Sequence, residues 1–205
     1  MGRVTGSLPK AASARQLFEL EKRERHDKYL ELKYEADIPA LHDTPFRNRT
    51  NNIWRDKYNA LCALMFERQG AMVGIIGPRG TGKTQMGVDA AQLWMYKAQR
   101  RARYIRAFDL FAAIKATYNG GDQTAVSVLK TVPMLVIDEM QVRSDSEWEN
   151  ATLTNILDRR YASKLITLLI ANLTHDEFIR NVGASVYSRI IETGKIIETK
   201  WESFR

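Results

Sequence analysis

Residues 71–84 read AMVGIIGPRGTGKT, an apolar run of strand character that breaks into a glycine-rich turn closing on Lys83 and Thr84. The spacing is that of a P-loop, G-x-x-x-x-G-K-[ST]. Gly77, Gly80 and Gly82 permit a tight turn with its N–H groups facing inward. With Pro78, Arg79 and Thr81 between them, the loop and the start of the next helix form a cage for a polyphosphate. Lys83 is placed to reach the β- and γ-phosphates, and Thr84 to ligate Mg²⁺. So short a pattern also arises by accident as a turn that holds no nucleotide, and its context decides between the two. A strand must precede it and a helix must follow. Ala71 to Ile76 is apolar, and Gln85 to Arg100 carries Met86, Ala90, Leu93, Trp94 and Ala98 at helical spacing.

Further along, residues 134–139 read MLVIDE, a strand ending in two carboxylates. Asp138 is suited to hold Mg²⁺ through water, and Glu139 to polarise an attacking water as general base. An apolar strand ending in Asp-Glu says little alone, but after a P-loop it supplies the second half of a nucleotide-hydrolysing site. Asn172 stands just past a later apolar run, level with Glu139 if the sheet is parallel. Its amide can orient water there without adding charge; a turn-forming Asn at a strand end is the alternative. Arg189, in SVYSRI, can stabilise a phosphoryl-transfer transition state from a neighbouring subunit, or be an ordinary surface arginine. Arg100, Arg101, Arg103 and Arg106, followed by Lys115 and Tyr118, combine charge with aromatic character as single-stranded nucleic acid binders do. Phe108, in the same stretch, is expected in the core.

Strands and helices alternate around these motifs. Residues 1–12 have no periodic apolar pattern and read as a loose start. A helix is expected from Ser13 to Ala36, but Glu21 to Lys28 (EKRERHDK) contains no apolar residue, so its middle turns face solvent or a partner. Residues 37–52 carry two prolines and read as a linker. The next helix, Ile53 to Gln69, presents Ile53, Trp54, Leu61, Leu64, Met65 and Phe66 as its apolar positions. A strand over Ala102 to Ala107 and a helix over Phe108 to Tyr118, stopped by Asn119-Gly120-Gly121, come after the P-loop helix. A short helix, Asp122 to Lys130, precedes a strand over Val132 to Asp138. Ser146 with Glu149 and Thr174 with Glu177 have capping-box spacing, each opening a helix, on either side of a strand over Leu165 to Ala171. A last helix, Ser185 to Thr193, leads over Gly194 to a strand over Ile196 to Thr199. The pattern predicts an α/β fold with a parallel sheet, helices on both faces and the ligand at the carboxyl ends of the strands. The chain divides into a helical extension (1–36), a linker (37–52) and a main domain (53–205).

At 205 residues the chain suits one substantial domain with a smaller appendage. A net charge of +7 favours an acidic partner, nucleic acid being the commonest. Cys62 is the only cysteine, which excludes an internal disulfide, and His26, His42 and His175 lack metal-ligand spacing, so no zinc site is expected. The amino terminus lacks the apolar core of a signal peptide and the longest apolar runs are strand-sized. A soluble, cytoplasmic protein without a membrane partner is expected.

ADIPALHDTPFRN, GPRGTGKT, MLVIDEMQVRSDSEWE, LLIANLT, SVYSRIIETGKII and WESFR, in that order over residues 36–205, resemble the AAA+ ATPases of the DnaC/IstB family. These are helicase loaders and their transposition-helper relatives. The P-loop is shared with many nucleotide hydrolases, whereas the stretch from Asp138 to Arg205 is far more specific. The resemblance implies a P-loop NTPase of the AAA+ (ASCE) type that hydrolyses ATP to ADP and phosphate with Mg²⁺. It implies that Lys83 and Thr84 are Walker A residues, Asp138 and Glu139 the Walker B pair, and Asn172 the sensor-1 residue. Arg189 becomes the finger that completes a neighbour's site in a homo-oligomer. No helical lid is expected after the sheet, and Arg205 is the candidate to replace the lid's second sensor. The implied partners are a replicative DnaB-type helicase, gripped by residues 13–36, and single-stranded DNA. The implied function is helicase loading, with ATP driving assembly and hydrolysis driving release. The alternatives are a transposition helper working on duplex DNA with a transposase, a small-molecule P-loop kinase, and a nucleotide-binding adaptor without turnover.

Overall fold

The computed structural model describes residues 14–44, 52–118 and 120–204. The loose start, residues 45–51 of the linker, the helix stop at Asn119 and the sensor candidate Arg205 lie outside the described residues. Five strands, β1 (Met72–Ile76), β2 (Ala102–Arg106), β3 (Met134–Asp138), β4 (Ile166–Ala171) and β5 (Lys195–Glu198), form a sheet in the order β2-β3-β4-β1-β5. Every neighbouring pair is parallel. The helices are α1 (Ala14–Tyr34), α2 (Asn52–Glu67), α3 (Lys83–Ala98), α4 (Ala107–Thr117), α5 (Gln123–Thr131), α6 (Glu147–Ala162), α7 (His175–Val182) and α8 (Ala184–Thr193). The expected α/β architecture is the one observed. Among the described residues, no helix is long and apolar enough to cross a membrane.

The central strands read as unbroken apolar runs because successive residues serve two different cores. Val73, Ile75, Val136 and Ile170 point to the layer of α2 and α3, where they meet Trp54, Leu61, Met86 and Trp94. Met72, Ile76, Leu135, Ile137 and Leu169 point to the other face and pack with Leu110, Phe111, Ile156, Phe178 and Ile190. Gly74 is required in the middle of β1, since a Cβ there would stand 2.8 Å from the Phe178 ring.

Element ends shift for local reasons. Val132 donates its N–H to Val128 O at 2.8 Å and closes α5, and Pro133 has none to donate, so β3 begins at Met134 rather than at Val132. Thr174 and Glu177 make the full reciprocal capping box of α7. Ser146 caps α6 through Glu149 N, but the Glu149 carboxylate accepts from Asp145 N at 3.0 Å instead of returning to the cap. Phe108 is 62% exposed, against expectation. Helix α4 buries Ala107, Leu110, Phe111 and Ile114, an i, i+3, i+4, i+7 stripe that leaves position 108 outside. Ile53 and Phe66 of α2 are exposed for the same reason, the buried stripe being Trp54, Leu61 and Met65.

Arg160 of α6 is fully buried. It donates from Nε to Thr167 Oγ1 at 2.9 Å, from Nη1 to the carbonyls of Leu129 and Val132 at 3.0 and 2.9 Å, and from Nη2 to Ile166 O at 2.6 Å. One side chain thus ties the end of α5 and the start of β4 to α6.

Helix α1 buries no side chain completely. Tyr29 and Leu32 pack partly against the α2–α3 core, while Leu17, Phe18, Leu20 and Leu30 stay exposed. Its carboxyl end is nonetheless fixed to β2. Tyr104 N–H donates to Ala36 O at 2.8 Å, and Arg103 donates to Glu35 O at 2.8 Å and pairs with Asp37. The described part of the linker continues as a short 3-10 turn, Ala40–His42, laid against α3. There Gln85 Nε2 donates to His42 O at 3.1 Å and to Thr44 O at 3.2 Å.

Candidate nucleotide site

The glycine-rich loop after β1, the carboxyl ends of β2 and β3 and the residue just past β4 border a cleft of about 600 Å³. Backbone shape comes first. Gly77 has φ 136° and passes so close to β5 that a Cβ would lie 2.3 Å from Thr199 Oγ1. Gly82 has φ 79° and is the N-cap of α3, and no side chain caps that first turn. The unpaired N–H groups at the start of α3 therefore remain available to an anion, with the helix dipole behind them.

Lys83 opens the helix and is buried, its ammonium donating to Pro78 O at 2.5 Å and to Thr81 Oγ1 at 3.4 Å. Desolvation pulls its pKa down to about 8, opposed by the Asp138 carboxylate. Thr84 Oγ1 donates to Asp138 Oδ2 at 2.8 Å, Tyr104 OH donates to the same oxygen at 2.9 Å, and Glu139 N–H donates to Oδ1 at 2.7 Å. Burial first, and then the neighbouring Asp138 charge, raise the Tyr104 phenol far above its ordinary pKa, so it stays a donor. Glu139 follows in the left-handed region at φ 55° and lines the cleft half-buried. Asn172, just past β4, also lines the cleft, its N–H donating to Gln141 Oε1 at 2.9 Å. The donor set fits a magnesium nucleotide: hard oxygens at Thr84 and Asp138 for the cation, an uncapped helix start and Lys83 for the phosphates.

The structure thus brings Gly80, Gly82, Lys83, Thr84, Asp138, Glu139 and Asn172 to one cleft, with exposed Arg79 at its rim. Gly77 and Pro78 face an adjoining cavity of about 400 Å³ that Asn172 also borders. Arg189 lies elsewhere. On α8 it donates to Ser185 Oγ at 3.0 Å, pairs with Asp158 and lies 5.4 Å from the centre of the Tyr161 ring. The nucleic-acid candidates make separate contacts. Arg103 is engaged with Asp37 and Glu35, and Arg106, opposite Asp138 in the β2–β3 register, borders the cleft and bonds Asp109 at 2.7 Å. Lys115 sits 5.0 Å from the Trp148 ring centre, and Tyr118 is 71% exposed beside the same ring.

Nothing local in the sequence marks Tyr104, Gln141 or the partners of the loop near residue 200 as part of the site. Tyr104 lies two residues before the end of β2 and so faces the same way as that strand's last residue, which marks it only once the β2–β3 register is known.

An anion binds the ammonium form of Lys83, so affinity for ATP should fall as pH rises through the lysine's pKa of about 8. Between pH 7 and pH 9 the loss is expected to be about tenfold. Fluorescence titration with an ATP analogue at both values checks this, and equal affinities would remove Lys83 from phosphate contact.

Known proteins resemble this chain in sequence and in fold. DnaC of Escherichia coli strain K12, a replicative helicase loader, is 28% identical over 133 residues, 63% of this chain and 54% of that protein. The chain spans about half the length of the curated relatives it matches. A crystal structure of the DnaC helicase loader superposes with a TM-score of 0.65 at 20% identity, over 78% of this chain and 96% of that one. AMPPCP-bound DnaA from Aquifex aeolicus superposes with a TM-score of 0.62 at 23% identity, over 74% of this chain and 48% of that one. At these identities the two superpositions establish the P-loop fold. The model of the IstB-like ATP-binding proteins matches residues 12–205, nearly the whole sequence, and the chain belongs to that family.

Proposed function

We propose that this protein is a cytoplasmic ATPase that loads a replicative helicase onto single-stranded DNA. The observation that carries the reading is the convergence of Lys83, Thr84, Asp138, Glu139 and Asn172 on one cleft. Thr84 and Asp138 are the residues to hold Mg²⁺, which would neutralise phosphate oxygens. The open first turn of α3 and Lys83 bind and orient the polyphosphate, and the Asn172 amide positions water. Glu139 takes the proton from that water as it attacks. The exposed Leu17, Phe18 and Leu20 of α1 supply an apolar face for a helicase. Lys115 and Tyr118 remain the best placed of the DNA candidates.

Helicase capture tests the reading. With ATP present, the protein is expected to retain a replicative helicase and to hydrolyse ATP faster when single-stranded DNA is added. Capture of a transposase with no helicase would favour the transposition helper, the second reading that the IstB-like match supports.

The finger role of Arg189 requires it to exchange Asp158 for a neighbour's nucleotide. Arg189→Ala should bind ATP normally yet lose hydrolysis by about 10³-fold. Mixing it with Lys83→Ala, which keeps Arg189, should restore part of the activity. Absence of rescue would count against a finger acting between subunits.

A further inference from the structure

The segment after β5 returns to the P-loop and bonds its carbonyl groups from behind. Thr199, fully buried, donates to Ile76 O from its N–H at 2.8 Å and from its hydroxyl at 3.0 Å, and its hydroxyl also meets Thr81 Oγ1 at 2.7 Å. Trp201 Nε1 donates to Thr81 O at 3.0 Å, and Phe204 N–H donates to Gly80 O at 2.9 Å. From the other side Trp54 Nε1 lies 3.4 Å from Gly82 O. Carbonyls of three consecutive loop residues, 80 to 82, therefore have donors from outside the loop.

We propose that Thr199 and Trp201 are positioning residues for nucleotide binding: they form a strap that holds the P-loop in its anion-binding shape before a ligand arrives. This rests on the nucleotide reading above. The physical reason is the geometry of a peptide unit, whose C=O and N–H point in opposite directions. A carbonyl anchored outward turns the next N–H the other way, so Trp201 on the Thr81 carbonyl and the Phe204 main chain on the Gly80 carbonyl aim the N–H groups of Gly82 and Thr81 at the cleft, while Thr199 fixes the start of the loop through the Ile76 carbonyl and the Thr81 hydroxyl. A loop without these anchors would have to be ordered by the ligand itself, and ordering a flexible backbone lowers affinity. The strap also accounts for two glycines, since a Cβ at Gly77 would collide with Thr199, and one at Gly82 would lie 3.1 Å from Trp54 Nε1 and 3.2 Å from Phe204 Cε2.

The experiment compares MgATP affinity, read by a fluorescent analogue, with the melting temperature of the nucleotide-free protein. Trp201→Phe keeps the ring and removes one donor, Thr199→Val keeps the shape and removes the hydroxyl, and Thr199→Ser restores it. The first two are expected to weaken binding about tenfold, the effect of one or two lost hydrogen bonds, while Thr199→Ser binds like the parent. Nucleotide-free melting temperatures should stay within about 3 °C of the parent for Trp201→Phe. Should Thr199→Val fail to fold, Trp201→Phe decides alone. Unchanged affinity in these variants, or a loss that merely follows a fall in melting temperature, overturns the strap and leaves the nucleotide reading standing. A parent protein that does not bind MgATP overturns that reading itself, and the strap with it.

Discussion

Glu139→Gln is expected to lower ATP turnover by about 10² to 10⁴-fold while leaving MgATP affinity close to that of the parent. The carboxylate is held at the cleft by its backbone. Its N–H is bonded to Asp138 Oδ1 at 2.7 Å, and its carbonyl accepts from Val142 N–H at 2.9 Å, which closes the short turn Met140–Val142. Between them these bonds keep a non-glycine residue at φ 55°, a conformation that costs on the order of 1 kcal/mol and persists only where its surroundings impose it. Glutamine has the same size and can adopt the same backbone, so the phosphate cradle is untouched. What it loses is the ability to accept a proton from water. Phosphate release together with analogue binding separates the two properties, and normal turnover by this variant would take Glu139 out of the reaction.

The largest effect on stability is expected at Arg160→Met. Methionine roughly fills the volume but leaves the carbonyls of Leu129, Val132 and Ile166 and the hydroxyl of Thr167 without the donors that now satisfy them. Each buried acceptor left alone costs about 1 to 3 kcal/mol, offset in part because a charge no longer has to be desolvated. That desolvation is visible in the arginine, which has no carboxylate partner among the described residues and whose pKa is pulled down to about 9. It stays cationic at neutral pH and faces the carbonyl end of α5, the favourable end of that helix dipole. A net loss of about 3 to 5 kcal/mol, or roughly 10 °C in melting temperature, follows for a chain of this size. A thermal unfolding curve that coincides with the parent would mean that the three carbonyls find other donors.

The features legible in the sequence are those whose physics is local. The P-loop, the strand MLVID and the capping pairs at Ser146 and Thr174 each declare themselves within a few residues, and the alternation of strands and helices then predicts a parallel sheet. What stayed hidden depends on partners distant in the chain. The Thr81–Thr199 and Trp201–Thr81 bonds span 118 and 120 residues, and nothing near Thr199 announces them. Arg160 was invisible because charged side chains are ordinarily surface groups, and only the convergence of three loop and strand ends makes a buried guanidinium satisfiable. Phe108 was misplaced because an aromatic residue counts as apolar wherever it falls, whereas the helix phase set by Leu110, Phe111 and Ile114 turns it outward. Arg103 reads in sequence as one of a run of candidate nucleic-acid cations, and only the segment after α1, distant in the chain, supplies its partners Glu35 and Asp37.

Tyr104 bonds Ala36 through its main chain and Asp138 through its hydroxyl. The segment just past the carboxyl end of α1 and the Asp138 carboxylate are therefore joined through one residue of β2 by two hydrogen bonds.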